Sequence, residues 1–225
     1  MVKLKKMIFQ YYILVYYMSS TIRKYIMLIL LANATASNTM TLTKMIRNTI
    51  IFNTKMPSLY VDQTFNIDES LKKSTYSIEH IMPRSYLKNK DYNDMHNVAR
   101  TINELNNQRS NYKYTDELTK DDNWIRLRFD NYVNHKHRLF IPNPTSRGFI
   151  SRSLLYMSKE YDYNPFKNVI DKDVLIKWYY ENPPSKYEIY HNKCVKDIQK
   201  KNNEFISDYK NNRKSKVLHK FLDSL

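Results

Sequence analysis

One glycine, Gly148, and one cysteine, Cys194, are all that the 225 residues hold of either type. With one glycine the chain cannot build a Gly-rich phosphate loop, which excludes the Walker A and dinucleotide-binding fingerprints. No nucleotide cofactor is expected. With one cysteine it can form no internal disulfide and no Cys-rich metal site. Acidic residues are scarce too: 22 Asp and Glu stand against 37 Lys and Arg, a formal charge of +15. AT-rich codon usage inflates Lys, Asn, Ile and Tyr together, but it does not explain this imbalance between the two signs. Such a surplus attracts polyanions, either nucleic acid or an anionic membrane surface. The chain also lacks an apolar run of the roughly 20 residues that span a bilayer. MIFQYYILVYYM (7–18) and YIMLILL (25–31) are separated by Ser19–Lys24.

ANATAS (32–37) follows these runs with small residues in A-x-A spacing. Positive charge, a short apolar run and small residues make the layout of a signal peptide. Residues 1–37 are therefore read as an apolar leader, a signal or membrane-associated segment, with a helix packed on the domain as the alternative. The protein is secreted or membrane-associated if the leader is a signal, and intracellular otherwise. Residues 38–208 suit one folded domain, large enough to bury a core unaided. Residues 209–225 read as a basic tail.

Within the domain, a weak helical pattern surrounds Met45, Ile46, Ile50 and Ile51. Residues 115–147 are charged and aromatic and end in the loop-like IPNPTSRG. Apolar positions at helical spacing then predict helices over 149–161, opened by Gly148, over 171–182, stopped by Pro183-Pro184, and over 187–199.

The densest chemistry lies in residues 76–114, YSIEHIMPRSYLKNKDYNDMHNVARTINELNNQRSNYKY. Hydrolysing a phosphodiester with water needs a base, and His80 titrates near neutrality. Glu79 beside it offers a hard oxygen ligand. A magnesium-type ion is commonly held by one or two protein oxygens plus water and phosphate. Asn106, in the helix-prone stretch 102–111, is the natural second oxygen. Neighbours on a strand face opposite ways, so Glu79 and His80 share a site only at a strand end, which Pro83 would supply. His96 and Asn97 would orient these groups by hydrogen bonds, or simply occupy a turn. Arg109 would hold a phosphate or pair with a carboxylate. His135 and His137 lack a carboxylate cluster and read as part of a basic loop.

EHIMP, then DMHN, then NELNNQRSNY resembles the ββα-metal (His-Me finger) nucleases, and within them the bacterial endonuclease I family of periplasmic and secreted non-specific nucleases. FIPNPTSRGFISRSLLYMSKEY and LIKWYYENPPSKYEIYHNKCVKDIQKKNNEFI resemble the segments that follow the catalytic helix in that family. The likeness covers residues 75–207. It implies an α+β fold, with a ββα-metal finger core wrapped by several helices, and an endonuclease I-like domain over 38–208. It implies a metal-dependent endonuclease of DNA, with RNA as the alternative, that has little sequence specificity and leaves 5′-phosphate ends. Carried over, His80 is the general base, and Glu79 and Asn106 hold one divalent cation, Mg²⁺ first, with Mn²⁺ or Ca²⁺ as alternatives.

Arg147 and Arg152 match arginines at the start of the family's R-G helix. A phosphate role for these two follows from their charge and the anion preference of helix N-termini. Salt bridges within the fold are the alternative. A monomer is expected. The chain departs from the family in lacking disulfides and in replacing glycines, as at Asn107. The rival reading is a catalytically silent nucleic-acid-binding protein of the same fold.

Overall fold

The structure, a computed structural model, describes residues 58–61, 76–120, 122–209 and 216–223. The expected leader and the helical pattern around residues 45–51 lie outside the described residues. The architecture is α+β, as expected.

Strands β1 (Tyr76–His80) and β2 (Val98–Ile102) pair antiparallel, with Tyr76 opposite Ile102 and His80 opposite Val98. β2 runs without a break into helix α1 (Asn103–Arg109). Because no residue separates them, the helix must fold back along the hairpin. Leu105 and Arg109, one helical turn apart, are the α1 residues that become buried. The helix stops at Ser110, whose φ of 52° leaves the helical region.

A second sheet has the order β3 (Lys113–Tyr114), β6 (Leu139–Ile141), β5 (Tyr132–Asn134), β4 (Trp124–Arg126). Its β3–β6 pair is parallel and the other pairs are antiparallel. Nothing in the charged and aromatic pattern of 115–147 predicts it. These strands are two or three residues long, too short for a period-two alternation to show.

The helical layer begins with α2 (Pro144–Tyr161). Its start lies upstream of the expected one, because Pro144 occupies the first turn and the Asn143 side chain accepts from Ser146 N at 3.2 Å. Gly148 therefore sits inside the helix. A Cβ there would fall 2.3 Å from the Asn182 carbonyl oxygen, so the single glycine permits close approach to the end of α3 (Lys172–Glu181). Helix α4 (Lys186–Gln199) opens with Ser185 accepting from Glu188 N at 3.1 Å. Helix α5 (Glu204–Ser207) follows.

The segment expected as a basic tail carries α6 (Lys216–Leu222). Leu218 and Phe221, three apart, are buried in it, with the Phe221 ring 5.7 Å from that of Phe205. The core joins both layers through Tyr60, Tyr114, Phe140, Trp178 and Tyr179, all fully buried. No helix among the described residues is long and apolar enough to cross a membrane.

Candidate active site

β1 delivers Glu79 and His80 to opposite sides. Glu79 turns inward and is 2% exposed, whereas His80, the last residue of the strand, stays partly exposed. The strand ends there because the chain bends at Ile81 and Met82 and Pro83 opens a 3-10 turn, Arg84–Tyr86. That is the strand-end placement the sequence requires if both residues are to serve one site.

The His80 Nε2 lies 3.0 Å from the Tyr92 carbonyl oxygen. A carbonyl only accepts, so Nε2 carries the proton. In the neutral ring Nδ1 then holds the lone pair.

Glu79 Oε1 accepts from the Tyr60 hydroxyl at 2.9 Å and forms an ion pair with Arg109 Nη1 at 2.9 Å. Both side-chain donors reach Oε1; neither takes Oε2. Burial pushes the Glu79 carboxyl above the usual carboxylate range, against the downward pull of Arg109, Tyr60 and the His80 backbone. Asn106 lies on the same side of the hairpin. Its Nδ2 donates to Ser77 Oγ at 2.9 Å and to the Ile78 carbonyl at 3.3 Å, which leaves Oδ1 turned away from both.

The side-chain bonds thus engage neither Glu79 Oε2 nor Asn106 Oδ1, while the His80 backbone also bonds the Glu79 carboxylate, and oxygen ligands suit a hard cation. Among the described residues no three His, Cys, Asp or Glu side chains gather for a metal. A cation held here would take the rest of its shell from water and substrate phosphate.

His96 and Asn97 lie in the loop between β1 and β2 and hold it in place. Asn97 grips the Met82 backbone at both ends, Oδ1 accepting from N at 2.7 Å and Nδ2 donating to O at 3.1 Å. His96 is buried, packs on Tyr156 with ring centroids 4.4 Å apart, and places Nε2 3.1 Å from the Lys201 carbonyl. Both therefore act on the loop that carries Tyr92 and not on Glu79 or Asn106 directly.

Arg109 and Arg152, expected to contact phosphate or else to form salt bridges within the fold, are both buried in ion pairs. Arg109 is 0% exposed. It is held by Glu79 and by the carbonyls of His80, Ile81 and Ser110, and its guanidinium lies 4.4 Å over the Tyr114 ring. Arg152 is 1% exposed and donates to both carboxylate oxygens of Glu188. Each cation has a carboxylate partner inside the fold. Arg147 is half-buried. It donates to the Pro142 carbonyl at 3.3 Å and lies over the Trp178 ring. Burial lowers its pKa, against Asp116 and Glu181, which raise it.

Several groups in the arrangement carry no signal in the sequence. Tyr60 is 19 residues from its partner Glu79. Tyr92 contributes a backbone oxygen, which no side chain announces. Asp94 accepts from Tyr156 and Tyr161 at Oδ2 and from His96 N and Gln199 Nε2 at Oδ1. It ties the loop to α2 and α4. The DMHN run points at this loop but not at Asp94.

Residues 30–210 match the family model described as Endonuclease I. Among similar proteins is an endonuclease-1 of Buchnera aphidicola, 26% identical over 113 residues, which are 50% of this chain and 44% of that one. A periplasmic deoxyribonuclease of Aeromonas hydrophila is 29% identical over 119 residues, covering 52% and 48%. An extracellular deoxyribonuclease of the same organism is 28% identical over 114 residues, covering 50% and 48%. The chain spans about half the length of the curated relatives it matches. The family match runs through the hairpin, the helix that follows it and the helical layer, and the chain belongs to the endonuclease I family.

Proposed function

We propose that this chain is an endonuclease that hydrolyses phosphodiester bonds of DNA with little regard to sequence, RNA being the alternative substrate. The observation that carries the reading is the His80 ring. Its Nε2 is committed to the Tyr92 carbonyl, which makes Nδ1 the basic nitrogen at a partly exposed strand end. The deoxyribonuclease names of the Aeromonas relatives agree with DNA as substrate, as does the surplus of positive charge.

In this mechanism His80 Nδ1 takes the proton of a water that attacks phosphorus in line with the leaving 3′ oxygen. The Tyr92 carbonyl keeps the second ring proton in place and stabilises the imidazolium that forms. Glu79 Oε2 and Asn106 Oδ1 would hold one divalent cation, Mg²⁺ first, which when bound supplies positive charge to the phosphoryl oxygens. The Tyr60 hydroxyl and Arg109 fix the Glu79 carboxylate from the other oxygen, and Ser77 fixes the Asn106 amide. Products are 5′-phosphate and 3′-hydroxyl ends.

The test is nicking of supercoiled plasmid with Mg²⁺ and with EDTA, beside His80→Ala. General-base catalysis contributes about 10²–10⁴-fold, so the variant should lose at least that much while still binding DNA. Near-wild-type nicking by His80→Ala would sink the mechanism. A folded wild-type chain that binds DNA without nicking it, with Mg²⁺ or Mn²⁺, would establish the binding-only reading.

A further inference from the structure

The turn joining β5 to β6, His135-Lys136-His137-Arg138, is exposed at all four residues. It is also tied by contacts to the loop that holds His80. The Arg138 guanidinium lies 5.0 Å over the Tyr112 ring and donates to Asn111 Oδ1. Asn111 Nδ2 in turn reaches Ser85 Oγ at 3.4 Å. The Tyr112 hydroxyl lies 3.2 Å from His135 Nδ1, and the Arg138 carbonyl accepts from Lys113 N at 2.9 Å. Ser85 is the neighbour of Arg84, an exposed arginine parked 4.7 Å over the ring of Tyr92. Tyr92 is the residue whose carbonyl holds His80. A continuous line of contacts therefore runs from His80 through Tyr92, Arg84, Ser85 and Asn111 to Arg138.

Some cations of the described surface are neutralised by a carboxylate. Lys113, Arg126 and Lys177 each pair with a carboxylate, on Asp171, Asp130 and Asp116. Among the described residues Arg84, Lys136 and Arg138 form no such pair. Two of the three are held against tyrosine rings, which orders the side chain before any ligand arrives. Three exposed cations, two of them ordered on one line of contacts and the third in the same turn, suit a chain of phosphates better than a single anion.

We propose that Arg84, Lys136 and Arg138 form a track for the phosphate backbone of the nucleic acid, leading the strand to His80. The proposal rests on the nuclease reading above and names the surface that feeds its site. Phosphate contacts fix register without reading bases, so the track adds affinity and alignment but no sequence preference.

The test is equilibrium binding of a short DNA duplex across a salt series, with the His80→Ala chain as parent and EDTA present so that no cleavage intervenes. Each phosphate contact contributes about 0.9 to the slope of log affinity against log salt. Lys136→Ala with Arg138→Asn should make the slope shallower by about 1.8. Asparagine is chosen because Arg138 has a φ of 56°, which that residue tolerates. Between about 50 and 200 mM salt the fall in affinity should shrink by about tenfold. Arg84→Ala should remove about one further contact. Lys193→Ala with Lys196→Ala, exposed on α4, is the matched control and should change the slope far less. A slope in the turn variant equal to that of the parent, or of the control, overturns the track and leaves the nuclease reading standing. Absence of DNA binding by the parent overturns both.

Discussion

Among the described residues two arginine–carboxylate pairs are buried, and they are built differently. Arg152 meets Glu188 through two parallel bonds, Nε to Oε1 at 2.6 Å and Nη2 to Oε2 at 2.7 Å, and its Nη1 donates to the Asn182 carbonyl at 2.6 Å. Both carboxylate oxygens are engaged and all three guanidinium nitrogens have acceptors. Arg109 meets Glu79 at Nη1, 2.9 Å from Oε1, the oxygen that also accepts from Tyr60, and the Arg109 Nε is buried without an acceptor. The first is a closed pair that joins α2 to α4. The second leaves a carboxylate oxygen outside its side-chain bonds, beside the strand end that carries His80. The His80 backbone also bonds the Glu79 carboxylate, so the second pair is tied to the strand end where the proposed function would place a cation.

The largest expected effect falls on the closed pair. Removing one partner of a buried ion pair strands the other charge in low dielectric, at about 3–5 kcal/mol. Arg152→Ala should lower unfolding free energy by that much in denaturant titration. Arg152→Met with Glu188→Leu should recover most of the loss, because apolar replacements of a whole pair are often neutral. If the double variant is no more stable than the single one, the pair stabilises by more than charge matching, and the contrast with Arg109 weakens.

The next effect concerns a buried titratable group with no ion-pair partner. His191 Nε2 lies 3.3 Å from the Met95 carbonyl, and its Nδ1 is buried without a hydrogen-bond partner. Burial, reinforced by nearby His96, depresses its pKa to about 4, with the Met95 carbonyl opposing. The folded value lies below the unfolded one, so the unfolded chain binds the proton first as pH falls. Stability is fully present above about pH 6.5 and is lost as pH falls toward about 4. The loss between pH 7 and pH 5 should be about 2 kcal/mol from this residue. Unfolding free energies of wild type and His191→Gln at the two pH values check it. An unchanged pH dependence in the variant would move the acid-labile point elsewhere, with His96, also depressed by burial, as the next group to test.

The contrast between the pairs also marks where sequence reading succeeds. The helices α2 to α4 are legible because their apolar positions recur at helical spacing and prolines and asparagines punctuate them. His80, Glu79 and Asn106 are legible as candidates because residue type and order suggest a chemistry. The fates of Arg109 and Arg152 are not. An arginine reads alike whether its carboxylate waits inside the fold or a phosphate waits outside. Glu188 is 36 residues from Arg152, a separation that no local pattern spans. The second sheet escapes because strands of two or three residues carry no alternation. The Tyr92 carbonyl escapes because every residue has one. What stays hidden is the set of long-range partners, which decides whether a polar residue is structural or available.

The smallest effect bears most directly on the difference between the two pairs. If Glu79 Oε2 and Asn106 Oδ1 hold a cation, that cation binds the folded chain and not the unfolded one. At a free Mg²⁺ concentration about ten times its dissociation constant, the fold gains about 1.4 kcal/mol, with a matching rise in Tm. The rise should vanish in Glu79→Gln and in Asn106→Ala, each compared with its own metal-free baseline. It should persist in Arg152→Met with Glu188→Leu, because the closed pair has no open oxygen to offer. Since the readout is stability, it does not depend on cleavage and is independent of the His80 assignment. An equal rise in all the variants would place the cation elsewhere and make the incomplete bonding of Glu79 a structural accident. A rise lost only in the Glu79 and Asn106 variants would show that the unfilled side of that pair is where the cation sits.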